Sequence, residues 1–229
     1  MKKRKFAIFD IDGTIFRSSL LIELTEALVA AGIFPKKART IYETAYKKWS
    51  NRQESYEKYI ASVVRAFEKY IKGVDNALFV KVAKRVAAAN YDRTYVYTRR
   101  LVQELKKKNY YLVAISHSPK AIVQSFCQKL GFDKVYGRDY EVGLDNRYTG
   151  KTLYLDLISD KANILRRVMD KTGLGLAGSI GVGDSEGDIS IMRTVAQPIC
   201  FNPNARLYAA AKKAGWRIVV ERKDVIYEI

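Results

Sequence analysis

Two aspartates one residue apart, Asp10 and Asp12, stand at the end of the apolar run Phe6-Ala7-Ile8-Phe9 and are followed by Gly13-Thr14. Strand side chains alternate, so the run predicts a buried strand that delivers both acids to the same side of its C-terminal tip, with Ile8 and Ile11 on packed faces. Carboxylates this close repel each other, and beside an apolar run they lack the water that would screen them. A divalent metal is the simplest resolution. On its own, Asp-x-Asp-Gly-Thr also describes an acidic turn, because Asp and Gly both favour turns. Three groups further along give the pair a context: Ser116 after the apolar run from Tyr111 to Ile115, Lys161 at a helix start, and Gly183-Asp184-Ser185-Glu186-Gly187-Asp188 after another apolar run.

Together these groups meet the needs of phosphate monoester cleavage: a nucleophile, charge compensation and a proton for the leaving oxygen. Asp10 is the candidate nucleophile, giving an aspartyl-phosphate and so dividing one hard step into two. Mg²⁺ would be held by oxygen ligands, Asp10, a backbone carbonyl near Asp12, and Asp184. Asp12 would protonate the leaving group and later take a proton from water. Ser116 and Lys161 would hold the remaining phosphate oxygens. Singly, each has a plainer explanation: Ser116 as a helix N-cap before Pro119, Lys161 as a solvated lysine in a first turn, Asp184 and Asp188 as an acidic helix start. Their order along the chain, and the glycines and apolar strands beside them, make them a set.

Phe9 to Ile15, the Ile115-Ser116-His117-Ser118-Pro119 turn, Lys161 and Gly181 to Asp188 resemble, in order, the four motifs of the haloacid dehalogenase superfamily. Arg147-Tyr148-Thr149-Gly150 and Phe201-Asn202-Pro203-Asn204 look like its phosphoserine-phosphatase-like subgroup. The resemblance implies Asp10 as nucleophile, Asp12 as acid and base, Asp184 as Mg²⁺ ligand, and Asp188 as a metal-site or lysine-orienting partner. Dehalogenating members lack the aspartate at the position of Asp12, so its presence favours phosphoryl chemistry. It also implies a helical cap between the first two motifs, fitting residues 17–92, on a core of residues 1–16 and 93–229. Two departures stand out. His117 replaces the small residue usual after the motif serine, and Ser19 stands nine residues after Asp10, where phosphoserine phosphatases carry a glutamate for the substrate ammonium. Arg17, Ser18 and Ser19 at the start of the insert are candidates for substrate selectivity, and anionic or neutral phosphorylated metabolites are expected over phosphoserine.

The elements that must position these groups follow from periodicity. Residues 19–92 carry apolar residues at helical spacing: Leu21, Leu24, Leu28; then Ile41, Tyr42, Ala45, Tyr46, Trp49; then Tyr56 to Ile71; then Leu78 to Val86. Most tyrosines of this insert are expected in its own core. From Thr94 the pattern becomes alternating helix and strand: a helix through Leu105, a strand 111–115, a helix from Pro119 to Gly131, two short strands at 135–136 and 140–142, a hairpin return at 147–153, and a helix 161–172. A strand 179–182, a helix from Asp188, a strand 198–201, a helix 204–214 and a last strand 217–220 complete it. The fold class is α/β, a Rossmann-like parallel-sheet core with helices on both faces and an inserted all-helical cap. In such sheets ligands bind at the carboxyl ends of the strands, where all four groups fall.

With 229 residues, 48% of them hydrophobic, the chain is large enough for a sizeable core. Cys127 and Cys200 fall in apolar segments without disulfide or metal spacing, which points to free thiols and a cytoplasmic location. The basic start at residues 1–5 is followed by an apolar run broken at Asp10, so no leader is expected, and no run approaches the roughly 20 residues of a membrane helix. A net charge of +17 invites nucleic-acid binding, but the basic residues are scattered in small clusters over many elements. The expected partner is a small phosphorylated metabolite. The alternatives are a phosphotransferase or mutase of the same fold and a non-enzymatic basic nucleic-acid-binding protein, the latter disfavoured because no motif residue is missing.

Overall fold

The computed structural model describes residues 4–229; residues 1–3, where the basic start was read as no leader, lie outside them. Its centre is β1 (Phe6–Asp10), buried along its whole length because it is flanked by strands on both edges and by helices on both faces. Strand β2 (Tyr111–Pro119) pairs with it in parallel on one side and β5 (Ile180–Gly183) on the other. Outward from β2 come β3 (Lys134–Val142), parallel, and β4 (Tyr148–Leu153), antiparallel. Beyond β5 lie β6 (Gln197–Phe201) and β7 (Arg217–Arg222), parallel, and β8 (Val225–Glu228), antiparallel at the edge. The core of the sheet is parallel as expected and both edges are antiparallel, the β3–β4 hairpin as its sequence indicates and β8 in addition. Because the chain departs to β2 on one side of β1 and later returns to β5 on the other, β1 is the topological switch point, where such sheets bind ligands.

Alternation along β1 sends Ala7 and Phe9 to one face and Phe6 and Ile8 to the other. On the first face α1 (Leu20–Ala30), α5 (Val96–Lys107) and α6 (Lys120–Cys127) lie against the sheet; α4 (Asn76–Asn90) packs on α1 and α6, α3 (Tyr56–Ile71) on α1, and α2 (Glu43–Ser50) on α3. On the second face α7 (Leu155–Ser159), α8 (Lys161–Thr172) and α9 (Ile189–Met192) pack against Phe6, Ile8, Val113 and Ile115, and α10 (Ala205–Ala214) lies over β6 and β7. Asp10 has the parity of Phe6 and Ile8, so it projects toward the face that α8 covers.

The insert is helical throughout, as its periodicity predicts, and the chain leaves and re-enters it at adjacent points: Phe16 bridges Thr94, and the Arg17 amide donates to the Arg93 carbonyl at 2.9 Å. It is not packed on itself alone. Phe34, Phe67 and Phe79 share one apolar cluster with Phe9 and Phe126, and the Gly73 and Asn76 amides donate to the carbonyls of Tyr148 and Asn146 on the β3–β4 hairpin. The two short strands expected at 135–142 are one strand, since intervening Gly137 lies against the backbone of Lys120, where a Cβ would not fit. Helix α7 and strand β8 have no counterpart in the sequence reading. Five-residue α7 is too short for helical periodicity, and β8 is exposed along its length, so it has no buried face to alternate. Among the described residues no helix is long and apolar enough to cross a membrane, and Cys127 and Cys200 are buried and unpaired.

Candidate active site

Strand β1 ends at Asp10 rather than running on through Asp12. The amides of Thr14, Ile15 and Phe16 fold back onto the Ile11 carbonyl, and Gly13 adopts φ +81°. A Cβ at Gly13 would stand 2.2 Å from an Asp184 carboxylate oxygen, so only glycine lets the turn pass so close. The two acids are thus separated by a turn, and each acquires its own partners.

Asp10 meets Lys161, the first residue of α8, whose helix Asp160 caps by accepting from the Ala162 amide at 2.9 Å. The ammonium is 3% exposed and donates to Asp10 Oδ1 at 2.5 Å and to Asp188 Oδ1 at 2.6 Å. Burial works against its charge, but Asp10 and Asp188 outweigh it and hold Lys161 protonated well above the ordinary lysine range. Asp188 is oriented in turn by the amides of Asp184 and Ser185, which donate to its Oδ2 at 3.0 and 3.1 Å. This arrangement explains Gly183, whose Cβ would lie 2.3 Å from the Asp188 carboxyl carbon. Asp184 accepts from the Thr14 hydroxyl at 3.3 Å.

Asp10, Asp184 and Asp188 each offer a carboxylate oxygen, and the three oxygens lie within 4.8 Å of one another. Three carboxylates face one ammonium, and Asp10 Oδ2 is buried without a hydrogen-bond partner. Burial pushes the Asp10 carboxyl up, to about 7, against the pull of Lys161, and Asp188 and Asp12 add to the rise. Asp184 is raised well above its ordinary value by burial and by Asp10 and Asp188. Hard oxygen donors, excess negative charge and an orphaned carboxylate oxygen are what a Mg²⁺ site requires. The third side chain of this cluster is Asp188, whereas the contact expected of Asp12 is through a backbone carbonyl.

Asp12 is gripped from the other side. Its Oδ1 accepts from the Leu20 amide at 2.5 Å, and its Oδ2 accepts from the hydroxyls of Ser116 at 2.5 Å and Ser118 at 2.8 Å. Burial raises its pKa above the ordinary value despite these donors, favouring the protonated form that a general acid needs. Ser116 therefore lies behind Asp12 and spends its hydroxyl proton there, rather than facing the cavity as the expected phosphate ligand. Ser118 was not singled out in the sequence. The signal was present, since β2 runs on through both serines and places them two apart on one face.

His117, on the opposite face, reaches the cavity wall and holds Ile158, its Nε2–H donating to the Ile158 carbonyl at 3.0 Å. Although His117 is exposed, the protein groups around its ring, with Lys161 and Arg138 nearby, desolvate it and push its pKa down to about 4. Arg17, Ser18 and Ser19 line the same cavity, Arg17 with its guanidinium 5.7 Å from the centre of the Tyr95 ring. The cavity has a volume of about 890 Å³, with Asp10, Asp12 and Asp184 at one end and the insert at the other. Tyr46, Trp49, Tyr56 and Tyr59 form much of the insert side, so Tyr46 and Tyr56 are not in the insert's core as their spacing implied. Helical spacing identifies a shared face but does not say whether that face meets a core or a cavity.

The metal-free cluster has a pH signature. Its folded-state carboxyls hold protons that the unfolded chain releases between 3.8 and about 7, so its contribution to stability falls as pH rises through that window. A bound cation replaces those protons. Mg²⁺ at about a hundred times its Kd should therefore stabilise the fold by about 2.7 kcal/mol when the carboxyls are ionised, and by less at about pH 5.5 than at about pH 7.5. Thermal unfolding with and without Mg²⁺ at the two pH values checks this, and equal shifts would place the cation elsewhere. The difference with Mg²⁺ is the proper readout, because lowered His117 gives the raw curve the opposite slope, gaining stability as pH rises.

Residues 7–193 match the family of haloacid dehalogenase-like hydrolases, and the chain belongs to it. It is thus an enzyme of the hydrolase class. Among its relatives is a histidinol-phosphatase of Neisseria meningitidis, 25% identical over 94% of this chain and 98% of the relative. A phosphoserine phosphatase of Methanocaldococcus jannaschii is 23% identical over 98% of this chain and 95% of its own length. A solved phosphoserine phosphatase carrying a phospho-aspartyl intermediate analogue shares the fold, with a TM-score of 0.64 at 22% identity over 97% of this chain and 96% of that one.

Proposed function

We propose that this protein is a Mg²⁺-dependent phosphatase that hydrolyses a small phosphorylated metabolite through an aspartyl-phosphate on Asp10. The observation that carries the proposal is the division of labour between the two acids. Asp10 keeps one oxygen without any protein partner while Lys161 holds the other, and Asp12 is held apart by three donors in a setting that favours its proton. The names of the two relatives and of the solved structure support phosphomonoester chemistry.

The free oxygen of Asp10 attacks phosphorus, and the bond from phosphorus to the leaving oxygen breaks as Asp12 passes it a proton. Water then attacks the aspartyl-phosphate, Asp12 takes back a proton, and inorganic phosphate leaves with Asp10 restored. Lys161 keeps Asp10 aimed and favours its ionised form against burial, and Asp188 fixes Lys161. Mg²⁺ held by Asp10, Asp184 and Asp188 would supply the charge compensation that an anion attacking an anion requires.

In this proposal residues 17–92 form the cap, with the paired segments at Phe16 and Thr94 as its stalk and Arg17, Ser18 and Ser19 facing the substrate. The two buried free cysteines accord with a reducing, cytoplasmic setting. Phosphoserine is a poor substrate here. Ser19 has no charge for the ammonium, and Glu23 is turned to Arg93 at 2.9 Å. Glu57 and Glu186 line the cavity, but both pair with Arg206. The test is phosphate release from phosphoserine, sugar phosphates and nucleoside monophosphates, with and without Mg²⁺. Phosphoserine should trail the better substrates in kcat/KM by tenfold or more, about 1.4 kcal/mol of transition-state preference. A tenfold lead for phosphoserine would overturn the substrate assignment, and transfer of phosphate to an added alcohol with no release would make the protein a phosphotransferase.

A further inference from the structure

Across the cavity from the carboxylates, α2 contributes Tyr46 and Trp49, and α3 contributes Tyr56 and Tyr59, each pair three residues apart and so on one helix face. Trp49 stacks on Tyr59, with centroids 5.3 Å apart and planes at 14°, and meets Tyr56 edge-on at 5.3 Å. Tyr46 closes the group at 5.4 Å from Tyr59. Despite this mutual packing Tyr46 is 46%, Trp49 37% and Tyr56 41% exposed, and all three face the cavity. Isolated exposed aromatics are ordinary; a contiguous aromatic wall opposite a catalytic centre marks a binding surface.

We infer that the wall receives a flat aromatic ring carried on the leaving alcohol, so that the substrate is an aromatic phosphomonoester of nucleotide size. The inference rests on the phosphatase proposal and adds its substrate class. Three observations select it. The cavity, at about 890 Å³, lies toward the upper end of the range for ligand sites and far exceeds a three-carbon amino acid. The wall begins at the reacting end, since Tyr56 lines the same cavity as Ser19, Asp12 and Asp184. Asp10, Asp12, Ser19, Tyr56 and Trp49 line one cavity, so a ring on the leaving group can lie between the phosphoryl position and the wall. The rings also touch one another, at 5.3 to 6.1 Å, so they leave no cage for a cation between them, and the carboxylates at the rim are engaged by Arg206. A stacking surface takes a neutral ring face with little regard to its hydrogen-bonding edge.

The experiment compares adenosine 5′-monophosphate with ribose 5-phosphate, which differ only in the ring, and with choline phosphate as the cationic arm. In the parent protein the adenosine compound should lead ribose 5-phosphate by roughly tenfold in kcat/KM, and Trp49→Ala should collapse that ratio while Trp49→Phe retains most of it. Binding without turnover supplies the independent arm: in Asp10→Asn protein carrying Trp216→Phe, the fluorescence of Trp49 should respond to the nucleotide and not to ribose 5-phosphate. Equal turnover and equal fluorescence response for the two, or a lead for choline phosphate, overturns the aromatic wall. Nucleotide-selective fluorescence with no phosphate release from any compound upholds the wall and overturns the phosphatase proposal instead.

Discussion

Asp10→Asn will reduce phosphate release from any phosphomonoester by roughly four orders of magnitude or more, the scale of losing a covalent nucleophile. An amide oxygen still accepts from Lys161, so the pair that anchors α8 survives, but it carries no charge with which to attack phosphorus. The same substitution removes one of the carboxylates that burial forces together, so the metal-free protein should be no less stable than the parent. Its gain in Tm from Mg²⁺ should shrink, because Asp10 supplies one of the three clustered oxygens. Steady-state assays with an aryl phosphate, alongside thermal unfolding, separate the two effects. Full activity in a folded Asp10→Asn protein would sink the nucleophile assignment.

Lys161→Met should have the second largest effect, and on stability as well as on rate. The ammonium is the sole cation bonded to both Asp10 and Asp188 among the described residues, and it is almost wholly buried. Removing one partner of a buried ion pair leaves its carboxylates uncompensated, at a cost of about 3–5 kcal/mol, whereas removing both sides together costs far less. Urea unfolding of Lys161→Met should therefore show a loss in that range, and Lys161→Met with Asp188→Asn a smaller loss than the single change. Additivity would mean that the two side chains do not act on each other. Phosphate release should be lost in both proteins, since neither retains the group that holds Asp10 in place.

These two expectations differ in how much of each was legible beforehand. The apolar run ending in Asp10, the serine after a strand, the lysine opening a helix and the glycine-flanked aspartates are local patterns, and each is set by residues within a few positions of one another. Helix α1, helix α8 and strands β1, β2, β5 and β6 are legible for the same reason, because burial on a fixed face leaves a period in the sequence. Partner choice leaves no such trace. Asp10 is 151 residues from Lys161, and Asp12 is 104 from Ser116, so which acid meets which donor depends on how the strands are ordered in the sheet.

By itself, then, the sequence determined the alternation of strands and helices, the helical insert, and the set of acids, serine and lysine gathered at the carboxyl ends of the strands. Only the tertiary structure decided that β1 stops at Asp10, that Asp12 turns to Ser116 and Ser118 while Asp188 joins the oxygen cluster, and that the strand at 134–142 is continuous. It also decided that the tyrosines and tryptophan of α2 and α3 face a cavity. Side-chain period reports that a face is apolar, and the physical reason it can report no more is that a protein core and a ligand site desolvate such a face alike.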